Sequence, residues 1–411
     1  MENDEKSEAG HKMTAHGPCW LRVRASLFFT EKRHVMGNKP PGGIKNRDEA
    51  APQTIALSDI PPELIVIERK AATRFAKRIT LTSFADIVDE YAEIIKDIPA
   101  KKVEYRHPGQ IEKNRYRDIP CYEPTRVVLK GRDKEHDYIH ANWVKAGKYR
   151  YICSQAPLGD TVDDFWLMIA NEKVGAIIML CDLFEDGIRK CADYWPVDEG
   201  CRKTYGEVEV HNTTTMNSTL EQVTVTILRV TYKDRSHLLT HFQWVGWPDK
   251  GIPNDSIVPA KLLIQARESV TPVKNSKDAR KPPAPILVHC SAGIGRTGTL
   301  VAIDMARAKV KAHANSISVP NIVKELRSQR AFAVQNPLQY TYLNACILQM
   351  FVEERWLFNF PPIQLWQQRC HHFLVEYNRA SKEAIYIPQA ESIDEIAAER
   401  AAPCLSEQEV K

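Results

Sequence analysis

The sequence predicts an α/β protein in which helices pack on a sheet, and three observations carry that prediction. Short runs rich in Val, Ile, Thr, Tyr and Phe recur at 126–129, 149–153, 176–180, 205–211, 222–232, 236–244 and 286–289, each of strand length. Stretches with helical spacing, 161–172 and 257–268, lie between some of these runs. After residue 290 the pattern becomes mostly helical, with candidates at 297–314, 318–327 and 336–356. A chain of 411 residues, 43% hydrophobic, can bury one large core or two modest ones, which excludes disorder throughout.

Residues 1–60 mix charges with Gly, Pro, His and Asn, include the run NKPPGG at 38–43, and show no sustained period. They read as a flexible arm that tethers or solubilises. The folded domain is expected over 61–360. Near its start, Thr82 and Ser83 precede Phe84, Ile87, Val88, Tyr91, Ile94 and Ile95, the spacing of one helix face, and Asp86 stands where a helix cap would be completed. The Lys- and Pro-rich stretch 271–283 reads as a surface insertion. Residues 361–411 read as a C-terminal extension, partly disordered; from about Ser381 it is polar and acidic, which fits disorder or a weak helix. No internal repeat is visible, so neither a solenoid nor a tandem of similar domains is expected.

Composition removes several classes of function. With 56 basic and 52 acidic residues the net charge is only +4, too balanced for a nucleic-acid footprint, and no nucleic-acid partner is expected. Ten cysteines without a CxxC pair argue for reduced thiols rather than a disulfide scaffold or a zinc site. The apolar patch at 19–29 is broken by Arg22 and Arg24 and is not followed by a cleavage site, so it does not read as a signal peptide. No apolar window reaches the length of a transmembrane segment, the nearest runs being as short as 174–183. A soluble, cytoplasmic protein is the expectation.

The segment 285–299, PILVHCSAGIGRTGT, reads as a buried strand, a loop of small residues and the start of a helix. A cysteine between a strand end and a helix N-terminus meets unpaired N–H groups and the positive end of the helix dipole, which lower a thiol pKa from about 8.5 toward roughly 3.5–7.5. Cys290 is therefore expected to be a thiolate. The N–H groups of Ser291, Ala292, Gly293, Ile294, Gly295 and Arg296 can converge on phosphate oxygens only where side chains do not obstruct them, which accounts for the small residues. Arg296, six positions after the cysteine, can hold two phosphate oxygens with its planar fork. A buried cysteine after a strand is by itself more often inert filler. A hydrophobic core, however, has no use for a glycine-rich loop that closes on an arginine.

The string HCSAGIGRTG at 289–298 resembles the signature of the phosphotyrosine-specific protein tyrosine phosphatases of the non-receptor type, and the likeness runs over roughly 80–355. The resemblance implies one phosphatase-like domain with a central twisted mixed sheet flanked by helices. It also implies hydrolysis of phosphotyrosine in protein partners through a phosphocysteine intermediate, without cofactor or metal. The segment HFQWVGWPDKGIP at 241–253 is similar to the family's mobile acid-bearing loop. This makes Asp249 the general acid and base, with Pro248 and Pro253 stiffening the loop and Gly246 and Gly251 as hinges. KNRYRD at 113–118 resembles the phosphotyrosine recognition loop: Tyr116 would wall a deep slot and Asp118 would accept a substrate N–H.

By the same likeness Glu185 orients Arg296, Gln335 and Gln339 position the hydrolytic water, Thr297 stabilises the departing thiolate, and His289 tunes the nucleophile. The chain departs from the family pattern at His140, at Gln155-Ala-Pro157, at Asp186 and at Lys250, none of which is a reacting group. Two other readings compete. One is a catalytically weak phosphotyrosine-binding scaffold with a phosphatase fold. The other takes the basic segment from Arg69 to Arg78 as a membrane or nucleic-acid patch rather than a solvated helix face.

Overall fold

Nine segments rich in β-branched and aromatic residues pair into one sheet. In chain order they are β1 Arg126–Val128, β2 Tyr138–Ala146, β3 Tyr149–Gln155, β4 Ala176–Met179, β5 Arg202–Tyr205, β6 Val208–Asn217, β7 Val223–Tyr232, β8 Arg235–Trp244 and β9 Ile286–Cys290. Across the sheet they run β1-β2-β3-β9-β4-β8-β7-β6-β5. The four central strands are parallel, β3 to β9, β9 to β4 and β4 to β8, and the outer pairs are antiparallel. The sheet is therefore mixed, as the family likeness implies. These observations come from a computed structural model that describes residues 69–96, 104–105, 111–253, 256–272, 280–312 and 314–385. The chain divides at Pro61, and all described residues belong to the part that follows. The arm read over 1–60, the end of the C-terminal extension and most of the 271–283 insertion lie outside them.

The two innermost strands, β9 and β4, are buried along their whole length, which is what parallel strands covered on both faces require. Their side chains alternate between two cores. Ala176, Ile178, Ile286 and Val288 face a large core, whereas Ile177, Met179 and Leu287 face a smaller one beneath α3 Val162–Glu172. The large core is closed by α1 Lys70–Leu81, α2 Phe84–Lys96, α4 Ile257–Val270, α5 Gly295–Lys311, α6 Val319–Arg327, α7 Pro337–Glu353 and α8 Pro361–Ile385.

The cap read at α2 forms, with the Asp86 backbone N–H donating to Ser83 Oγ at 3.1 Å. In α1, Ala71, Ala72, Phe75, Ala76 and Ile79 are buried while Lys70, Arg74, Lys77 and Arg78 line the exposed face, the solvated-face arrangement. Three elements differ from the sequence runs. The single run at 205–211 is two strands, β5 and β6, joined by a tight turn whose Gly206 has φ 56°. Strand β2 lies under the motif DYIHAN, where buried His140 and Asn142 interrupt the apolar signal. Helix α8 continues to Ile385 and buries Ile363, Trp366, Cys370 and Leu374 in the large core, a stripe diluted in sequence by Gln, Arg and His.

Strands β9, β4 and β8 all end on the same side of the sheet, and loops lead from there to α5 and to segments 180–190 and 245–253. Open α/β sheets bind ligands at this carboxyl edge. Among the described residues no helix is long and apolar enough to cross a membrane.

Candidate active site

Cys290 is the last residue of β9 and α5 begins five residues later, so the intervening loop is short and drawn against the core. Gly293 shows why side chains are kept out: its φ is 69°, and a Cβ there would lie 2.1 Å from the carbonyl oxygen of Ser154. Its N–H donates to Cys290 Sγ at 3.3 Å. Cys290 is only 3% exposed and Arg296 2%.

Glu185 grips Arg296 with both oxygens, at 2.5 and 3.0 Å, in a fork-to-fork pair. The same guanidinium donates to the Trp247 carbonyl at 2.9 Å and to Asp249 Oδ1 at 3.1 Å. Burial, the largest single influence, works against the charge of Arg296, but the hydrogen bonds to Glu185 and the acidic groups around it together outweigh it and its pKa is raised. Glu185 is carried by a two-stranded hairpin, Phe184–Glu185 with Ile188–Arg189, turned by Asp186 at φ 51° and Gly187 at φ 74°. Aspartate tolerates this left-handed conformation, which gives the departure at Asp186 a backbone reason.

The recognition segment stands beside the loop. Tyr116 Oη and Ser291 Oγ are 2.9 Å apart, and Asp118 lies exposed at the rim. The segment is anchored through Gln155, whose amide accepts from the Arg115 N–H at 2.9 Å and donates to the Lys113 carbonyl at 2.7 Å. Arg115 donates in turn to the carbonyls of Ala156 and Pro157.

Asp249 closes the other side. Its Oδ2 pairs with Lys190 Nζ at 2.8 Å while its Oδ1 faces Arg296. Burial pushes the carboxyl pKa up, but the Lys190 hydrogen bond and the Arg296 charge win, leaving it below the usual aspartate value.

The family model for protein-tyrosine phosphatase matches residues 110–349, more than half the chain and all of the loops just described. This chain belongs to the protein tyrosine phosphatase family. It is 36% identical over 277 residues to tyrosine-protein phosphatase non-receptor type 9 of Rattus norvegicus, covering 65% of this chain and 46% of that protein. Against tyrosine-protein phosphatase non-receptor type 20 of Rattus norvegicus the identity is 32% over 304 residues, or 72% and 68% of the two chains. The chain thus spans about half the length of the first of these curated relatives. The solved catalytic domain of human protein tyrosine phosphatase non-receptor type 18 superposes with a TM-score of 0.59 at 30% identity, covering 68% of this chain and 99% of that one.

Behind the phosphatase loop lie the remaining predicted residues. A Cβ on Gly295 would meet the Gln339 amide at 2.9 Å and Gln335 Oε1 at 3.0 Å, so both glutamines reach the start of α5. Thr297 Oγ1 is buried without a hydrogen-bond partner among the described residues, which leaves its proton unclaimed. His289 is fully buried, and burial lowers its pKa to about 3, so it is neutral.

Several neighbours were not read from sequence. Tyr194 Oη joins His289 Nε2 at 2.9 Å to His241 Nε2 at 2.6 Å, a single hydroxyl between two imidazoles that burial keeps neutral. Arg330 is fully buried and donates to the carbonyls of Ala292 and Gly293, each at 3.0 Å, bracing the phosphatase loop from below. It also meets Asn142 Oδ1 at 2.8 Å and His140 Nδ1 at 3.1 Å. His140, which departs from the family pattern, completes this set by donating from Nε2 to the Ile119 carbonyl at 3.0 Å. Burial and then the Arg330 charge lower its pKa to about 3. Lys190 pairs with Asp249 across 59 residues of sequence, and only the fold reveals it.

Proposed function

We propose that this chain is an active protein-tyrosine-phosphatase, a phosphoric monoester hydrolase that removes phosphate from phosphotyrosine in proteins. The observation that carries the reading is the arrangement around one guanidinium. Arg296 sits beside Cys290, is held rigidly by Glu185, and touches the carboxylate that would serve as acid.

In the first step Cys290 Sγ attacks phosphorus in line, the bond from phosphorus to the tyrosyl oxygen breaks, and Asp249 gives its proton to the leaving phenolate. Arg296 and the loop N–H groups stabilise the equatorial oxygens throughout. A phosphate dianion on Arg296 takes over the guanidinium from Asp249 and adds negative charge nearby, so substrate raises the proton affinity of a carboxyl that is depressed without it. In the second step Gln335 and Gln339 orient a water, Asp249 takes its proton, and the resulting attack frees inorganic phosphate and the thiolate, to which Thr297 can donate. Tyr116 makes the slot deep, and a phosphoserine is too short to reach the sulfur at its base.

The test is phosphate release by the full chain from a phosphotyrosine and a phosphoserine peptide, without added metal, beside Cys290→Ser. Release from phosphotyrosine alone, abolished in the variant, is the expected result. Binding of the phosphopeptide without release would replace this reading with a scaffold.

A further inference from the structure

The side chain of Asn336 spans two loops that the reaction needs together. Asn336 is the N-cap of α7, and its Oδ1 accepts from the Gln339 backbone N–H at 2.8 Å. Its Nδ2 donates to the backbone carbonyl of Lys250, the residue after Asp249, at 2.9 Å. A backbone N–H requires an acceptor and a backbone C=O requires a donor, so the two partners fix one orientation of the amide. Asp and Ser cap helices equally well, yet Asp has no proton to give and a hydroxyl is too short to serve both partners.

The carbonyl it holds belongs to a strained residue. Lys250 has φ 54°, a left-handed conformation that a non-glycine residue keeps only where its surroundings over-determine it. The other ties of this loop are of a different kind. Trp247 Nε1 to the Gly251 carbonyl, 3.1 Å, and the Gly251 N–H to the Pro248 carbonyl, 3.2 Å, stay within the loop. The Asp249 contacts to Lys190 and Arg296 are ionic, the Trp247 carbonyl is held by the Arg296 guanidinium at 2.9 Å, and substrate competes for Arg296; the Val245 N–H to the Gln222 carbonyl, 3.2 Å, holds only the start of the loop. The Asn336 bond is neutral, leaves Arg296 untouched and ends on the segment that carries Gln335 and Gln339.

We propose that Asn336 is a positioning residue, a latch that sets the place of Asp249 through the Lys250 carbonyl and ties the acid-bearing loop to the water-positioning start of α7. The inference rests on the two-step reaction proposed above. It assigns Asn336 no contact with substrate. Losing the donor frees Lys250 to leave its strained conformation and carries Asp249 away from the leaving oxygen.

The experiment compares wild type, Asn336→Asp, Asn336→Ser and Asp249→Asn in kcat/KM on two substrates, a phosphotyrosine peptide and a nitrophenyl phosphate whose leaving oxygen needs little help from an acid. Both Asn336 variants keep the cap and should keep the wild-type melting temperature within about 3 °C. They are expected to lose about five- to tenfold on the phosphotyrosine peptide and less than about twofold on the nitrophenyl ester, a smaller version of the Asp249→Asn pattern. Equal losses on both substrates, or none on either, with Asp249→Asn still selective for the poor leaving group, would overturn the latch alone. Absence of that selectivity in Asp249→Asn would overturn the acid assignment and the latch with it.

Discussion

The loop from Cys290 to Arg296 and the loop from Val245 to Pro253 bring the two ends of one proposed reaction together, and they are built in opposite ways. The first is sunk in the core. Cys290 and Arg296 are almost wholly buried, Arg330 braces two of its carbonyls, and Gly293 lies directly against the backbone of β3. The second hangs over it, with the Asp249 side chain 23% exposed and held by Lys190 and Arg296, while Lys250 is held by Asn336. A pocket for a dianion must be preorganised, because donors that reorganise during the reaction give back much of their stabilisation. An acid that has to admit substrate and then approach it is served better by a few exchangeable contacts.

The strongest way to break this comparison is to put the same methyl group into each loop. Gly293→Ala forces a Cβ against a backbone carbonyl in a left-handed conformation and should cost about 3 kcal/mol or more, with activity lost. Gly251→Ala meets only the edge of the Pro248 ring at 3.0 Å and should cost less than about 1 kcal/mol. Thermal melts and phosphatase assays on both variants check it, and equal costs would refute the contrast.

A second test uses acid. His140, His241 and His289, all packed around or behind the buried loop, have folded pKa values of about 3, below the usual histidine value of 6.5. The unfolded chain therefore takes up protons first: stability is full above about pH 6.5 and falls as pH drops toward 3, by at most about 1.4 kcal/mol per histidine per pH unit. Denaturant melts at several pH values, repeated on His241→Gln, should show a shallower acid slope in the variant.

The smallest effect is expected at Lys190. In Lys190→Met the depressed Asp249 pKa should rise, so the falling alkaline limb of kcat/KM moves to higher pH while the maximum drops by less than about tenfold. An unmoved limb would mean that Lys190 does not set the acidity of Asp249.

The same contrast explains what the sequence could convey. The strand, the loop and the start of α5 were legible because each residue type answers a local demand: burial for 286–288, absence of a side chain at Gly293, a planar cation at Arg296. A sheet with helices packed on it followed from runs of the right length and its mixed character from the family likeness, although β2 was hidden by His140 and Asn142, whose polarity is absorbed by Arg330. Arg330, Lys190, Tyr194 and Asn336 were not legible as partners of the site. Their roles are pairings across 37 to 95 residues of sequence, and nothing in a residue's own neighbourhood announces such a partner.

The central claim is a covalent phosphocysteine on Cys290, and the most direct measurement is to trap it. Wild type and Gln339→Ala would be mixed with a radiolabelled phosphotyrosine peptide, quenched in acid within milliseconds and digested for mass spectrometry. The account predicts label on the peptide containing Cys290, more of it in Gln339→Ala because hydrolysis is slowed, and none in Cys290→Ser. Phosphate release with no label on that peptide at any quench time would contradict it.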